Sequence, residues 1–335
     1  MSRVAFCPSC GAPLEGLWQH VAVVCRYCKV EVVPGGAGDP VPQRMPDDGR
    51  PRLSIAGRTY LVEGHLAAGE SAEVYRGRWV VRLGELVILK IARHKPDGDA
   101  LRHEGAFLRR LADSPAVGAD HFARLLPTPI ALAPVQVAGT ERVVSVMQWR
   151  SGFHTSLQDA IEAFPDGLDG RVLVWIFKRL LELLAFTHRA GVLHGAVLPS
   201  HVLVHPRDHG AILVGWGAAV ARTRGGAGLP LPRISKVHAD IYPDDVRRGG
   251  PADRATDLAM AARCIERAAG ARGLLVDRFG SLPAPIGRVV REASRGQHHD
   301  AWALRDRLDE IARQAYGPPR YSPLRMPGWG GTSAD

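Results

Sequence analysis

Four of the five cysteines fall within the first 28 residues, as two pairs of equal internal spacing, Cys7-Pro-Ser-Cys10 and Cys25-Arg-Tyr-Cys28, with fourteen residues between them. Two such knuckles can set four thiolates tetrahedrally around one Zn²⁺, each turning tightly so that its backbone N–H groups face sulfur. Gly11, directly after the first pair, suits the left-handed turn a knuckle needs. Four thiolates leave no open coordination position, so the expected role of the metal is structural. A redox dithiol would need a βαβ context that is missing here. A segment of about thirty residues buries too little apolar surface to fold alone, so the ion would supply most of its folding energy. The stretch between the pairs, LEGLWQHVAVV, reads as a strand pair crossing from one knuckle to the other.

The arrangement resembles the zinc-ribbon class, whose members bind protein or nucleic acid. Residues 1–34 are assigned to this ribbon, and the Pro-, Gly- and Asp-rich stretch 35–52 to a linker without periodicity. The remaining length suits a larger domain with a true core, since 46% of the residues are apolar and 23% charged. The start, MSRVAFCPSCG, has no apolar segment of a secretory signal, and the apolar runs are far shorter than the ~20 residues of a membrane span. A soluble cytoplasmic protein without membrane contact is therefore expected. The formal net charge of +9 is scattered, with no run of charges longer than three, so nucleic acid stands as an alternative partner.

Past the linker, LSIAGRTYLVEGHLAAGESAEVYRGRWV alternates like a hairpin around a small-residue turn. A strand, Glu85-LVILK-Ile91, follows and delivers Lys90 near its end. Asp99 is then placed to cap a helix, ALRHEGAFLRRL, carrying Leu101, Leu108 and Leu111 on one face and containing Glu104. This order resembles the N-lobe of a protein kinase. Ala67-Ala68-Gly69-Glu70-Ser71-Ala72-Glu73-Val74 is similar to the Gly-rich loop, with alanine for its first and third glycines, and Val87-Ile88-Leu89-Lys90 to the strand of the phosphate-binding Lys. The resemblance continues in sequence order. Val143-VSVMQW-Arg150 is similar to the strand entering the hinge, with Met147 at the gatekeeper position and Gln148 after it. The apolar helix 171–189 leads into Gly191-VLHGAVLPSHV-Leu203, similar without gaps to the catalytic loop, and Gly215-Trp216-Gly217 stands where DFG belongs. Tyr242-Pro243-Asp244 resembles the end of the activation segment, and Asp257-LAMAARCI the central C-lobe helix. The resemblance implies an α+β fold with a β-rich N-lobe (53–149) and a helical C-lobe (150–316), leaving 317–335 as a tail without a clear role beyond a short docking segment.

The departures from the family pattern decide the expected activity. Phosphoryl transfer asks a protein mainly for placed charge. Ala196 occupies the position of the catalytic Asp, Leu198 that of the phosphate-steadying Lys, His201 that of the Mg²⁺-binding Asn, and Gly215 that of the DFG Asp. One imidazole is a poor ligand set for hard Mg²⁺, and a general base alone is worth ~10²–10⁴-fold. The resemblance thus implies a pseudokinase that works by binding a protein partner, as a scaffold or allosteric regulator. A divergent phosphoryl or nucleotidyl transferase using Lys90 and Glu104, and a nucleic-acid-associated zinc-ribbon module, are the alternatives.

A nucleotide pocket, if kept, would use Lys90, Glu104, Gly69, Val74, Met147 and Gln148. Against ATP stands Ile88, where the family has Ala beside the base, since overpacking costs ~1–3 kcal/mol. Leu108, His194, Trp216 and Asp257 fall where kinases stack an internal spine. His201, His205 and His209 recur every four residues, but the strand-like VLVHP around them argues for a hairpin on which that spacing does not converge. His298 and His299 are placed to meet Asp244 or Asp245, and Cys264 reads as core packing.

Overall fold

The computed structural model describes residues 50–82, 84–122, 125–222, 228–270 and 279–326, together with four two-residue strands near the N-terminus. These are β1 (Ala5–Phe6), β2 (Pro13–Leu14), β3 (Val23–Val24) and β4 (Glu31–Val32), and β1 pairs with β2 and β3 with β4, both antiparallel. Each pairing therefore spans one Cys pair in sequence, whereas a β2–β3 pairing between the knuckles was expected. The four cysteines lie outside the described residues.

The chain divides into two units, residues 1–105 with 128–151, and residues 106–127 with 152–335. In the first, alternating apolar residues build a six-stranded antiparallel sheet from β5 (Arg52–Ile55), β6 (Arg58–Ala68), β7 (Ala72–Trp79), β8 (Leu86–Ala92), β9 (Pro129–Val137) and β10 (Thr140–Gln148), in the order β5-β6-β7-β8-β10-β9. Two hairpins turn on the same dipeptide: Ala56-Gly57 and Ala138-Gly139 both take positive φ, as the tight turn that matches strand twist requires. Leu53, Ile55, Tyr60, Val87, Leu89, Val144 and Val146 form the core against one face of this sheet. The sheet curls enough to bring its edge strands β5 and β9 within 8 Å, Cα to Cα, and Val62 N–H donates to Pro51 O at 2.8 Å. Helix α1 (Gly98–Ala112) buries Leu101, Leu108 and Leu111 as its periodicity demands. It begins before Asp99, which lies in the first turn and pairs with Arg102 at 2.9 Å in place of the expected cap.

In the second unit, α4 (Gly170–Arg189) is apolar on almost every side and is buried over most of its length. It packs against α6 (Arg254–Ala268) and α8 (Ala301–Tyr316), and α6 packs in turn against α7 (Ala284–Ser294). Carboxylates start three of these helices: Asp169, Asp253 and Asp300 each accept from N–H groups of the first turn of α4, α6 and α8. The short α2 (Ala119–Phe122) lies on α4 through stacking of Phe122 on Phe186, and α3 (Leu157–Ala163) opens with a Ser156–Asp159 capping box. Short antiparallel pairings frame the loops between helices: β11 (Thr155–Ser156) with β13 (Val202–His205), β13 with β14 (Gly210–Leu213), β12 (Val192–Leu193) with β15 (Val220–Ala221), and β16 (Leu229–Pro230) with β17 (Pro251–Ala252). The one-turn α5 (Asp244–Arg247) precedes β17.

Residues 317–326, part of the tail for which the sequence offered no clear role beyond a short docking segment, lie as a strap on the helical unit. Ser322 O accepts from Trp175 Nε1 at 3.2 Å and lies 2.9 Å from His209 Nε2, and Leu324 N–H donates to Pro206 O at 3.0 Å. The rings of Trp175, His209 and Tyr321 stack in series, and Leu324 is buried. Among the described residues no helix is long and apolar enough to cross a membrane.

Candidate functional site

Strand register decides which side chains share a face of the sheet. Lys90 on β8 lies opposite Val74 on β7 and Ser145 on β10, and Ile88 lies opposite Arg76 and Met147. Directly opposed residues of an antiparallel pair point the same way, so Val74, Ile88, Lys90 and Met147 line one face, opposite the core formed by Leu89, Val144 and Val146. Gln148 is one residue out of phase with this row and exposed. Lys90 Nζ donates to Glu104 Oε2 at 2.5 Å, with the Glu104 side chain 2% exposed. Four of the six candidate pocket residues are thus gathered on one face or paired to it.

The loop between β6 and β7 is a closed turn, not an open cradle. Gly69 N–H donates to Ala72 O at 2.9 Å, which commits the amide that a phosphate would need. Ala72, in place of a third glycine, buries its methyl against Ala92, Leu101 and Val143. Glu73, two residues beyond Ser71, meets His65 at 2.8 Å and Arg93 Nη2 at 2.5 Å. Hydrogen bonds from His65 and then Arg93 hold its carboxyl below the ordinary range. The turn is therefore tied to both neighbouring strands.

The second unit holds the segment expected to correspond to a catalytic loop, and its organiser is Asp257 at the start of α6. Its Oδ2 accepts His194 N–H at 2.9 Å and lies 2.8 Å from His188 Nε2, while Oδ1 accepts Gly195 N–H at 2.8 Å. Burial alone would raise this carboxyl, but the hydrogen bond and charge of His188, then His194 and the Gly195 amide, hold it below its ordinary value. His194 is wholly buried and its pKa is lowered to about 3, chiefly by desolvation. The neutral ring accepts Ala196 N–H on Nδ1 at 3.1 Å, so Nε2–H donates to Val214 O at 3.1 Å. The ring also meets Trp216 edge-on at 4.4 Å, and Trp216 Nε1 donates to Leu213 O at 2.8 Å. Of the four residues expected in an internal spine, His194 touches both Trp216 and Asp257, and Leu108 is buried on α1.

The four degenerate positions come together as well. Ala196 and Leu198 are buried and offer only methyl groups. His201 Nδ1–H donates to Ala196 O at 2.9 Å, and its ring lies over Gly215. A Cβ at Gly215, whose φ is +78°, would sit 2.5 Å from Cε1 and 2.6 Å from Nδ1 and Nε2 of that ring. The imidazole thus fills the space that a side chain at position 215 would need. A kinase-type Mg²⁺ needs carboxylate and amide oxygens here; the residues present do not fit the ion, and no step is routed through it. Among the described residues no three His, Cys, Asp or Glu side chains gather into a metal-holding group.

The remaining histidines disperse. His205 Nδ1 accepts Asp208 N–H at 3.0 Å within the β13–β14 hairpin, and His209 is held by the strap. His298 and His299 lie 3.7 Å from Glu292 and Asp253, not from Asp244 or Asp245. Buried Cys264 packs with Sγ 3.4 Å from Val197 O, and burial raises its thiol far above the ordinary range. Sequence reasoning missed His188, although a histidine among the buried residues of an apolar helix signals a partner of this kind.

No family model matches the chain, and no curated protein matches it. Solved structures do. One is that of vaccinia related kinase 3, with a TM-score of 0.64 and 18% identity over 83% of this chain and 94% of that one. Another is the BubR1 kinase domain, with a TM-score of 0.60 and 14% identity over 79% and 83% of the two chains. The fold is therefore the α+β, two-lobed protein-kinase-like fold.

Proposed function

We propose that this chain is a pseudokinase: a protein-kinase-like domain that does not transfer phosphate and acts by holding a protein partner, as a scaffold or allosteric regulator. The observation that carries the reading is the His201 ring over Gly215, with its Nδ1–H bound to Ala196 O. One imidazole thereby occupies the ground between three positions where an active kinase places its base and metal ligands. The fourth position is the buried Leu198. The fold-holding groups Asp257, His194 and Trp216 are meanwhile fully engaged with one another. The committed Gly69 amide and the bulk of Ile88 weigh against ATP, and Lys90 serves to pin Glu104.

The N-terminal segment belongs to the same reading as a second contact surface, with Cys7, Cys10, Cys25 and Cys28 holding a structural zinc ion. The β1–β2 and β3–β4 pairings, each spanning one Cys pair, support it.

The test is transfer from labelled ATP by the full chain, with Mg²⁺ and with Mn²⁺, beside a thermal titration with ATP. The expected result is no mass gain on the chain or on added protein, and no midpoint rise that depends on metal. Metal-dependent transfer that disappears in Lys90→Met would overturn the proposal in favour of a divergent transferase.

A further inference from the structure

The helical unit carries a cavity of about 240 Å³ between α4, α8 and residues 317–320. It is lined by five cations, Arg171, Lys178, Arg179, Arg313 and Arg320, and by one carboxylate, Asp309. Lys178 and Arg313 share that carboxylate, Arg313 Nε at 2.9 Å from Oδ2. Arg179 pairs at 2.5 Å with Glu182, which also serves Arg305. Among the described residues no carboxylate forms an ion pair with Arg171 or Arg320. Asp169, nearby, is committed to the first N–H groups of α4. Counting Asp309, Glu182 and Asp169, whose charge is felt at Tyr316, against the five cations leaves two positive charges unbalanced.

Four of the five cations are held by partners, and the backbone that carries the fifth, Arg320, is fastened. The Arg171 guanidinium lies over the Tyr316 ring at 4.6 Å and donates from Nη1 to Tyr316 O at 3.3 Å. Asp309 fixes Lys178 and Arg313, and the strap that brings Arg320 is fastened through Ser322 to Trp175 and His209. Cations fixed in advance lose little freedom when an anion arrives. Arginines from a helix start, a helix end and a strap line one hollow, which suits a tetrahedral dianion better than a single flat carboxylate.

We propose that this cavity binds a phosphomonoester, a group of about −1.5 to −2 charge with three acceptor oxygens. The site lies wholly within the helical unit and uses none of the degenerate catalytic positions, so it stands whether or not the pseudokinase reading does. Its phosphate can be supplied by a phosphorylated side chain or by a free small phosphate.

Calorimetric titration of the full chain at low salt separates these. The probes are N-acetyl-phosphoserine methylamide, its unphosphorylated counterpart and inorganic phosphate. The expected result is saturable binding of phosphate-bearing probes at about millimolar Kd or tighter, and none of the unphosphorylated amide. Arg320→Gln, at an exposed residue, should weaken binding about fivefold or more, and Arg171→Gln similarly, whereas Arg247→Gln on α5 should leave it unchanged. Tighter binding of the phosphoserine amide assigns the phosphate to a protein side chain, and tighter binding of inorganic phosphate assigns it to a free ligand; both support the site. Absence of saturation at about 10 mM, or an Arg320→Gln chain of unchanged melting temperature that binds as well as the parent, overturns it.

Discussion

In the sheet-built unit a lysine and a glutamate face each other at 2.5 Å, while in the helical unit the four positions read from the sequence as degenerate hold alanine, leucine, histidine and glycine. Both units nevertheless contain buried charge. Glu104 is almost fully buried beside Lys90, and Asp257 is fully buried among three N–H groups. What separates the charges present from those absent is where their partners lie. Lys90 and Asp257 are each satisfied within their own unit. On the proposed pseudokinase reading, the groups missing at Ala196, Leu198, His201 and Gly215 are those that would face metal and substrate. A buried charge with an internal partner is held by the stability of the fold; one whose partner is a ligand is held only by the activity.

This contrast breaks if Asp257 is dispensable. Asp257→Ala strands the donors of His188, His194 and Gly195, and should cost roughly 3–5 kcal/mol in urea unfolding. A loss below about 1 kcal/mol would show that this charge is not holding the fold.

Next in size is Gly215. Gly215→Ala adds a strained φ and a collision with the His201 ring, together roughly 2–4 kcal/mol. Combining it with His201→Ala should recover the collision and leave the backbone strain, measured by the same unfolding midpoints. If the second change recovers nothing, the ring is not what closes the position.

The pH dependence sharpens the comparison from the helical side. His194 is lowered to about 3 against an ordinary 6.5, so between those values the unfolded chain takes up a proton that the folded chain refuses. Stability therefore falls as pH falls through this window, by about 2 kcal/mol for His194 between pH 6.5 and pH 5. Asp257 acts in the same direction further down: its folded pKa lies below 3.8, so its contribution is lost as pH drops through that lowered value. Chemical unfolding at pH 7 and pH 5 should show a shallower loss in His194→Leu than in the parent chain.

The smallest expected effect belongs to the sheet-built unit. A double-mutant cycle of Lys90→Met and Glu104→Gln should return a coupling of about 1–2 kcal/mol. Zero coupling would remove the pair from the fold-holding set and leave a ligand as the reason for Lys90.

Much of this was legible in the sequence because alternation, turns and caps are local. β6 to β8, α1, β10 and α4 follow from periodicity, and the order of motifs implied the fold. The coupling of His201 to Gly215 was not legible, because residues fourteen apart meet only once the β13–β14 hairpin folds back. The signal was present as two simultaneous changes, but a sequence does not show that one ring fills the other's space. The strap was missed for a similar reason. Gly317-Pro-Pro reads as a chain leaving the domain, and nothing local tells that Ser322 O meets Trp175, far away along the sequence. Asp99 looked like a cap from position alone, yet the helix starts one residue earlier and turns that carboxylate to solvent.

The strand β5 carries a practical consequence for handling the protein. Read from sequence, the larger domain begins at residue 53, but the sheet also uses Arg52 and the carbonyl of Pro51. With β5 in place, the two outer strands of the sheet lie near each other and neither is a long bare rim. A recombinant fragment starting at Arg58 would uncover the outer side of β6 over Arg58–Leu61, the residues that β5 pairs with, and lengthen its unpaired edge. Such a strand invites edge-to-edge association with a second copy. Fragments of this domain should therefore start at or before Arg50, and a shorter one is expected to precipitate for reasons unrelated to any biological partner.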